Sequence, residues 1–230
     1  MRLDRFLAEC TGLSRANAKR ALHRGDVTCN GVVVKNSGFH VDTDCDVQLS
    51  GQSLRHHGEY YIMLNKPVDV VCSNIGEGNH ASVLSLLDCP GADKLTIAGR
   101  LDADTTGLVL ITSDGQWNHR ITSPKKACGK RYRVQLAEAL VANAEQRLAE
   151  GIVLHSETKP TKPAQLERIS DTEVLLTISE GKYHQVKRMF AALGNRVTGL
   201  HREQVGEISL DAALAPGQWR YLTTAEIATV

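Results

Sequence analysis

No apolar run in this chain approaches the roughly 18 residues or more that a membrane-spanning helix needs, so no membrane association is expected. No cysteine pair has CxxC spacing. The six cysteines, Cys10, Cys29, Cys45, Cys72, Cys89 and Cys128, are scattered, which argues against a zinc ribbon and for packed thiols in a reducing, cytoplasmic compartment. The nine histidines show no ligand spacing either, and His56-His57 sits in a polar stretch that reads as linker. The N-terminal segment carries Arg2, Asp4, Arg5 and Glu9 where a secretory signal would be apolar. No internal repeat is visible. The net charge is +1, too small to say much about partners.

What is present begins with a hydrophobic content of 42% over 230 residues, enough for a real core in one large domain or in a small domain beside a larger one. The charge, small in sum, is unevenly spread. Residues 1–36 hold seven Lys/Arg against three acids, residues 118–133 hold six and no acid, and residues 182–202 hold five and no acid. Three basic stretches in a nearly neutral chain point to a polyanion footprint. Solvated helix faces would give the same pattern.

The first 50 residues read as a compact module. Leu3, Phe6 and Leu7 have helical spacing. Ser14 can cap a second helix whose apolar side is Ala18, Ala21 and Leu22, which shows Arg15, Lys19, Arg20 and Arg24 to solvent and ends at Gly25. Asn30-Gly31 between two valine-rich runs predicts a type I′ hairpin, with a further strand at Val47–Leu49. Two helices, then a hairpin, with a basic second helix, resemble the S4-like RNA-binding domain. Residues 51–58 are polar and bounded by glycines, and read as a linker. Residues 59–230 interleave strands at 60–65, 130–136 and 174–178 with helices after Ser113 or Asp114, at 142–150 and around 185–193, and Pro124 should end the first of these. Without strict strand-helix alternation, a mixed or mostly antiparallel α+β fold is expected for this larger domain.

The stretch Ala98 to Thr112 stands apart. It packs Asp102 and Asp104 into a Gly/Thr-rich bend that feeds the apolar run Leu108–Ile111. A buried strand fed by a polar bend presents a reactive group from a rigid base. An acid beside such a wall needs a cationic partner or a raised pKa; Arg100 or a distant Lys or Arg is a candidate partner. The plainer reading is that an Asp in such a bend only caps its own turn. Near the start of the 185–193 helix, Lys187 and Arg188 are unfavourable with respect to the helix dipole, so a nearby anion would be welcome there.

These residues resemble the RNA pseudouridine synthases. Gly99–Thr112 looks like the catalytic motif of that family, and Leu64–Pro67, Lys130–Tyr132 and Glu180–Met189 look like its companion motifs, in the expected order. Asp69 stands where the family usually has glycine. The match is closest to the branch acting on small-subunit ribosomal RNA. The resemblance implies an isomerase that breaks the C1′–N1 bond of a uridine, rotates the base and rejoins it at C5, without cofactor or metal, favouring position 516 of 16S rRNA. It implies Asp102 as nucleophile, Lys187 as the cation that keeps it charged, where many relatives have Arg, and Tyr132 as a ring that stacks on the base and relays a proton. Leu108 or Ile178 would floor the pocket. Arg100 would hold the flipped nucleotide, or else pair with Asp104. Arg15, Lys19, Arg20 and Arg24, with Lys182 and Arg188, would meet RNA phosphates. The partner would be 16S rRNA, free or in a precursor particle, and the protein a monomer. Two other readings are weighed against this. Asp102-Ala-Asp104-Thr resembles the DxDxT phosphatase motif, but Gly-Arg precedes it instead of an apolar strand and no later acidic pair for Mg²⁺ stands out. A non-catalytic RNA-binding or ribosome assembly factor would keep the basic module and not need the three polar catalytic positions.

Overall fold

The computed structural model describes residues 1–42, 45–54, 58–123 and 126–230. The chain divides into two units, Met1–Gly58 and Glu59–Val230.

In the first unit, α1 (Leu3–Thr11) buries Leu3, Phe6 and Leu7 and stops where Gly12 takes a left-handed conformation. The hydroxyl of Ser14 accepts from the Asn17 N–H and caps α2 (Arg15–Arg24), which buries Ala18, Ala21 and Leu22 and ends at Gly25. Then come β1 (Val27–Cys29), β2 (Val32–Val33), β3 (Val47–Leu49) and β4 (Gln52–Leu54), in sheet order β2-β1-β3-β4. Asn30 and Gly31 both have positive φ, as a type I′ turn requires, and Cys29 faces Val32 across it. Ser50 and Gly51 repeat that geometry between β3 and β4. The polar stretch read as linker therefore begins as a strand: its backbone completes the sheet and Leu54 packs on the module's core. His56-His57 and Pro124 lie outside the described residues.

The second unit runs β5 (Tyr61–Lys66), β6 (Val70–Val71), β7 (Ala81–Ser82), β8 (Thr96–Ala98), β9 (Thr106–Thr112), α3 (Gly115–Thr122), β10 (Lys130–Leu136), α4 (Ala144–Glu150), β11 (Gln165–Arg168), β12 (Glu173–Ile178), α5 (Gln185–Ala192), β13 (Val197–Val205), β14 (Ile208–Ser209), β15 (Trp219–Tyr221) and α6 (Thr224–Ala228). Short 3₁₀ turns occupy Val83–Leu86 and Ala92–Lys94. Among the described residues nine strands form one mixed sheet, with β11-β12-β10-β13-β9-β5-β15 side by side, β8 on β9 and β14 on β13. All pairings in it are antiparallel except β13 with β9.

The sheet is apolar on both faces where β9 crosses it. Val109 and Ile111 join the larger core with Ile62, Leu64, Tyr132, Val134 and the buried sides of α4 and α5. Leu108 and Leu110 join a second core with Met63, Trp117 and Ile121 on the opposite face. Alternation along a strand makes this division, and it explains why residues 108–111 read as a continuous apolar run. α3 covers the second face, capped by the Asp114 carboxylate, which accepts from the N–H groups of Gln116 and Trp117. The register of β13 on β9 sets Arg202 against Gly107. Gly107 has φ 103°, and a Cβ there would lie 2.3 Å from the Arg202 carbonyl oxygen, so only glycine fits.

Candidate active site

The loop between β8 and β9 is gripped from two sides by buried cations. Lys66, fully buried at the end of β5, donates from Nζ to the carbonyls of Pro67 (2.8 Å), Ala103 (3.1 Å) and Thr105 (2.8 Å). Burial pulls its ammonium below the usual lysine range, opposed by the thiol of Cys72 and the carboxylates of Asp104, Asp102 and Asp69. Arg202, equally buried on β13, donates to the carbonyls of Leu108 (2.8 Å, Nε) and Gly99 (2.9 Å, Nη2). Asp69 ties in a third point, its N–H donating to the Ala103 carbonyl at 2.9 Å. It does so at φ 63°, a conformation that Asp tolerates better than most residues with a Cβ, so the turn is made without glycine.

This frame presents Asp102 and Asp104. Asp102, about a third exposed, meets Lys187 Nζ of α5 at 3.1 Å through Oδ2 and His184 Nε2 at 3.5 Å through Oδ1. Asp104 accepts from the same Nζ at 2.6 and 2.9 Å. The hydrogen bond from Lys187 holds the Asp104 carboxyl below its ordinary range. Burial lowers the Lys187 ammonium, but its bonds to Asp104 and Asp102 outweigh that and leave it raised. Lys187, 85 residues from Asp102 in the chain, thus contacts both carboxylates. A Mg²⁺-dependent phosphatase would need carboxylates around this pair; its nearest charged neighbour is an ammonium ion.

Tyr132 stands in one row across the sheet with Arg202 and Gly107, two strands from the start of β9, about 10 Å at ordinary strand spacing. It lies on the face that packs α5, largely buried beside Leu176. Its hydroxyl has no hydrogen-bond partner among the described residues and is not sealed from solvent. Of the two floor candidates, Ile178 belongs to this face. Leu108 does not: it is one residue out of phase and packs on the far core with Trp117.

The basic stretches fare differently in space. Lys182 Nζ sits 2.7 Å from Glu157 and Arg188 Nη1 3.2 Å from the same carboxylate, while Arg188 Nη2 donates to the His155 carbonyl at 2.6 Å. In the 118–133 stretch, Arg131 pairs with Glu167, Arg133 with Glu173 and Glu203, and Lys130 donates to the Cys128 carbonyl. These cations build the fold and are partly neutralised, by acids the linear count did not include. Arg100 is exposed with no side-chain partner among the described residues, and Asp104, its alternative partner, is taken by Lys187. In the first unit Arg15, Lys19 and Arg20 project from α2 without ion-pair partners among the described residues, while Arg24 pairs with Asp26.

The sequence reading missed Lys66 and Arg202 as the groups that shape the loop, and His184 as a neighbour of Asp102. Lys66 lay inside a recognised motif, but nothing in a Lys-Pro dipeptide says that the ammonium is buried.

The fold and this carboxylate-lysine site define an RNA pseudouridine synthase joined to an S4 domain: the profile of the RNA pseudouridylate synthase family matches residues 60–192, and that of the S4 domain residues 1–47. The chain belongs to the RNA pseudouridylate synthase family. It is 53% identical over 230 residues to a protein of Vibrio cholerae named ribosomal small subunit pseudouridine synthase A, covering 100% of this chain and 99% of that one. It is likewise 53% identical to the Escherichia coli protein of the same name, over the whole of both. A solved structure titled as a pseudouridylate synthase superposes with a TM-score of 0.72 at 49% identity, covering 100% of this chain and 99% of the other.

Proposed function

We propose that this enzyme converts a uridine of 16S ribosomal RNA, at position 516, into pseudouridine, with Asp102 as nucleophile. The observation that carries the reading is the 3.1 Å contact of Lys187 Nζ with the Asp102 carboxylate at the mouth of a rigidly held loop. The full-length relatives named for the small ribosomal subunit support the choice of RNA.

The reaction is an isomerisation. The C1′–N1 bond breaks, a C1′–C5 bond forms, the proton leaves C5 and N1 gains one, so no oxidant or reductant is called for. Asp102 supplies the electron pair of the transient covalent bond. Lys187 sets a positive charge against it and aims it, as a point charge rather than a bidentate fork. Tyr132, with a free hydroxyl on a largely buried ring, stacks on the base and takes up the C5 proton. The uridine leaves its helix to reach this site, and Arg100 holds the flipped nucleotide. Arg15, Lys19 and Arg20 contact phosphates, which position the RNA without reading its sequence. The protein acts as a monomer in the cytoplasm, on rRNA free or in a precursor particle.

The test is Asp102→Asn, assayed by pseudouridine mapping of a 16S transcript. Product should vanish while RNA affinity stays within about twofold. Wild-type product from that variant removes Asp102 from the chemistry.

A further inference from the structure

Tyr183 is 76% exposed, the most exposed aromatic ring among the described residues. It is held flat all the same. Its ring lies on the imidazole of His184 with centroids 3.8 Å apart and planes within 20°. His184 in turn brings Nε2 to 3.5 Å from Asp102 Oδ1. The two rings therefore form a short stack leading outward from the nucleophile.

The backbone beneath them is fixed for this purpose. His184 sits at φ 47°, left-handed and unfavourable for a residue with a Cβ, immediately before α5. Three polar bonds brace it: the Lys182 N–H donates to Gln185 Oε1 at 2.8 Å, Gln185 Nε2 donates to Glu180 Oε1 at 3.0 Å, and Arg188 Nη1 donates to the Tyr183 carbonyl at 3.1 Å. One face of the Tyr183 ring is covered by His184 and the residue is three-quarters exposed, so the other face is open to solvent.

We propose that the open face of Tyr183 is the stacking platform for the nucleobase adjacent to the target uridine. The proposal rests on the uridine-isomerising reading of Asp102 and adds the recognition of the neighbouring nucleotide. Every nucleobase has a flat face that an aromatic ring can hold. A base on the outer face of Tyr183 would extend outward the stack that begins at His184, beside Asp102. The neighbour would then be clamped while the uridine itself turns in toward Asp102. Lys182 and Arg188, paired with Glu157, serve here as supports of the platform.

The test uses the full-length protein and a 16S transcript spanning position 516, with 2-aminopurine placed in turn on each side of the target uridine. Wild type should quench the probe on one side only. Tyr183→Ala should lose that quenching and weaken RNA binding about 5- to 150-fold, with the loss falling on KM more than on kcat. Tyr183→Phe and Tyr183→Trp should retain the quenching, because the ring and not the hydroxyl is used. If wild type makes pseudouridine and Tyr183→Ala matches it in both KM and quenching, the platform is wrong and the uridine reading stands. If Tyr183→Phe is as impaired as Tyr183→Ala, the stacking argument is overturned as well. No pseudouridine from wild type on this transcript would sink the reading on which the proposal rests.

Discussion

Replacing Lys66 by methionine isolates the grip on the catalytic loop. Methionine fills the space of the lysine stem and removes only the ammonium. Three carbonyls lose a donor, but not equally. Ala103 keeps the N–H of Asp69 at 2.9 Å, whereas the carbonyls of Pro67 and Thr105 lose their side-chain donor. An acceptor left short costs about 1–3 kcal/mol when buried, as at Thr105, and less where water can reach it, as at the half-buried Pro67. The variant is spared the desolvation of an ammonium and gains about 1 kcal/mol of apolar burial. The net expectation is a loss of about 2–4 kcal/mol. Urea denaturation followed by tryptophan fluorescence measures it cleanly, because Trp117 and Trp219 are the only tryptophans and both belong to Glu59–Val230. Since two of the carbonyls that lose the ammonium, those of Ala103 and Thr105, flank Asp104, the folded variant should also turn over about 10- to 100-fold more slowly. A midpoint shift worth less than about 1 kcal/mol, with an unchanged slope and a wild-type rate, would refute the claim that Lys66 shapes this loop.

Two further outcomes follow from charge pairs. Lys187→Met strips both Asp102 and Asp104 of their ammonium and should lower kcat/KM by about 10- to 150-fold, the value of a charge-assisted bond of about 1.5–3 kcal/mol; Lys187→Arg should restore most of it, and a methionine variant at wild-type rate would contradict the assigned role. In the C-terminal segment Arg220 forks onto Glu226 at 2.8 and 2.9 Å, and those bonds pull the Glu226 carboxyl down from 4.5 to about 2. A depressed folded pKa means stability that is present above the unfolded value of 4.5 and is lost as pH falls through about 2. With the Glu226 side chain 23% exposed, screening leaves about 1–2 kcal/mol of the roughly 3 that the full shift would give. Glu226→Gln should therefore be less stable than wild type by that amount at pH 7, with the difference closing toward pH 2; a difference independent of pH would refute the linkage.

What the sequence made legible was local. Ser14, Asn30-Gly31, Gly25 and the Val186-Met189-Phe190 stripe each act within a few residues, and caps, turns and helix faces are set at that range. The long-range pair of Asp102 and Lys187 was legible only because whole motifs resembled a family. β13 escaped because its position in the middle of the sheet is not written in its side chains: Thr198, His201, Arg202, Glu203 and Gln204 give no apolar pattern. Its backbone is satisfied by β10 on one side and β9 on the other, and its one deeply buried cation finds carbonyls instead of an acid. The same blindness inflated the basic stretches. A run of lysines and arginines without acids between them says nothing about acids brought in by another strand or loop, and Glu157, Glu173 and Glu203 enter in that way. Subtracting those pairs changes the electrostatic argument: of the seven cations expected to meet RNA, those without ion-pair partners among the described residues are Arg15, Lys19 and Arg20 in the first unit and Arg100 in the second. If phosphate contact is the work of those few, the salt dependence of RNA binding should be shallow, set by a handful of contacts rather than by the 27 Lys and Arg of the whole chain.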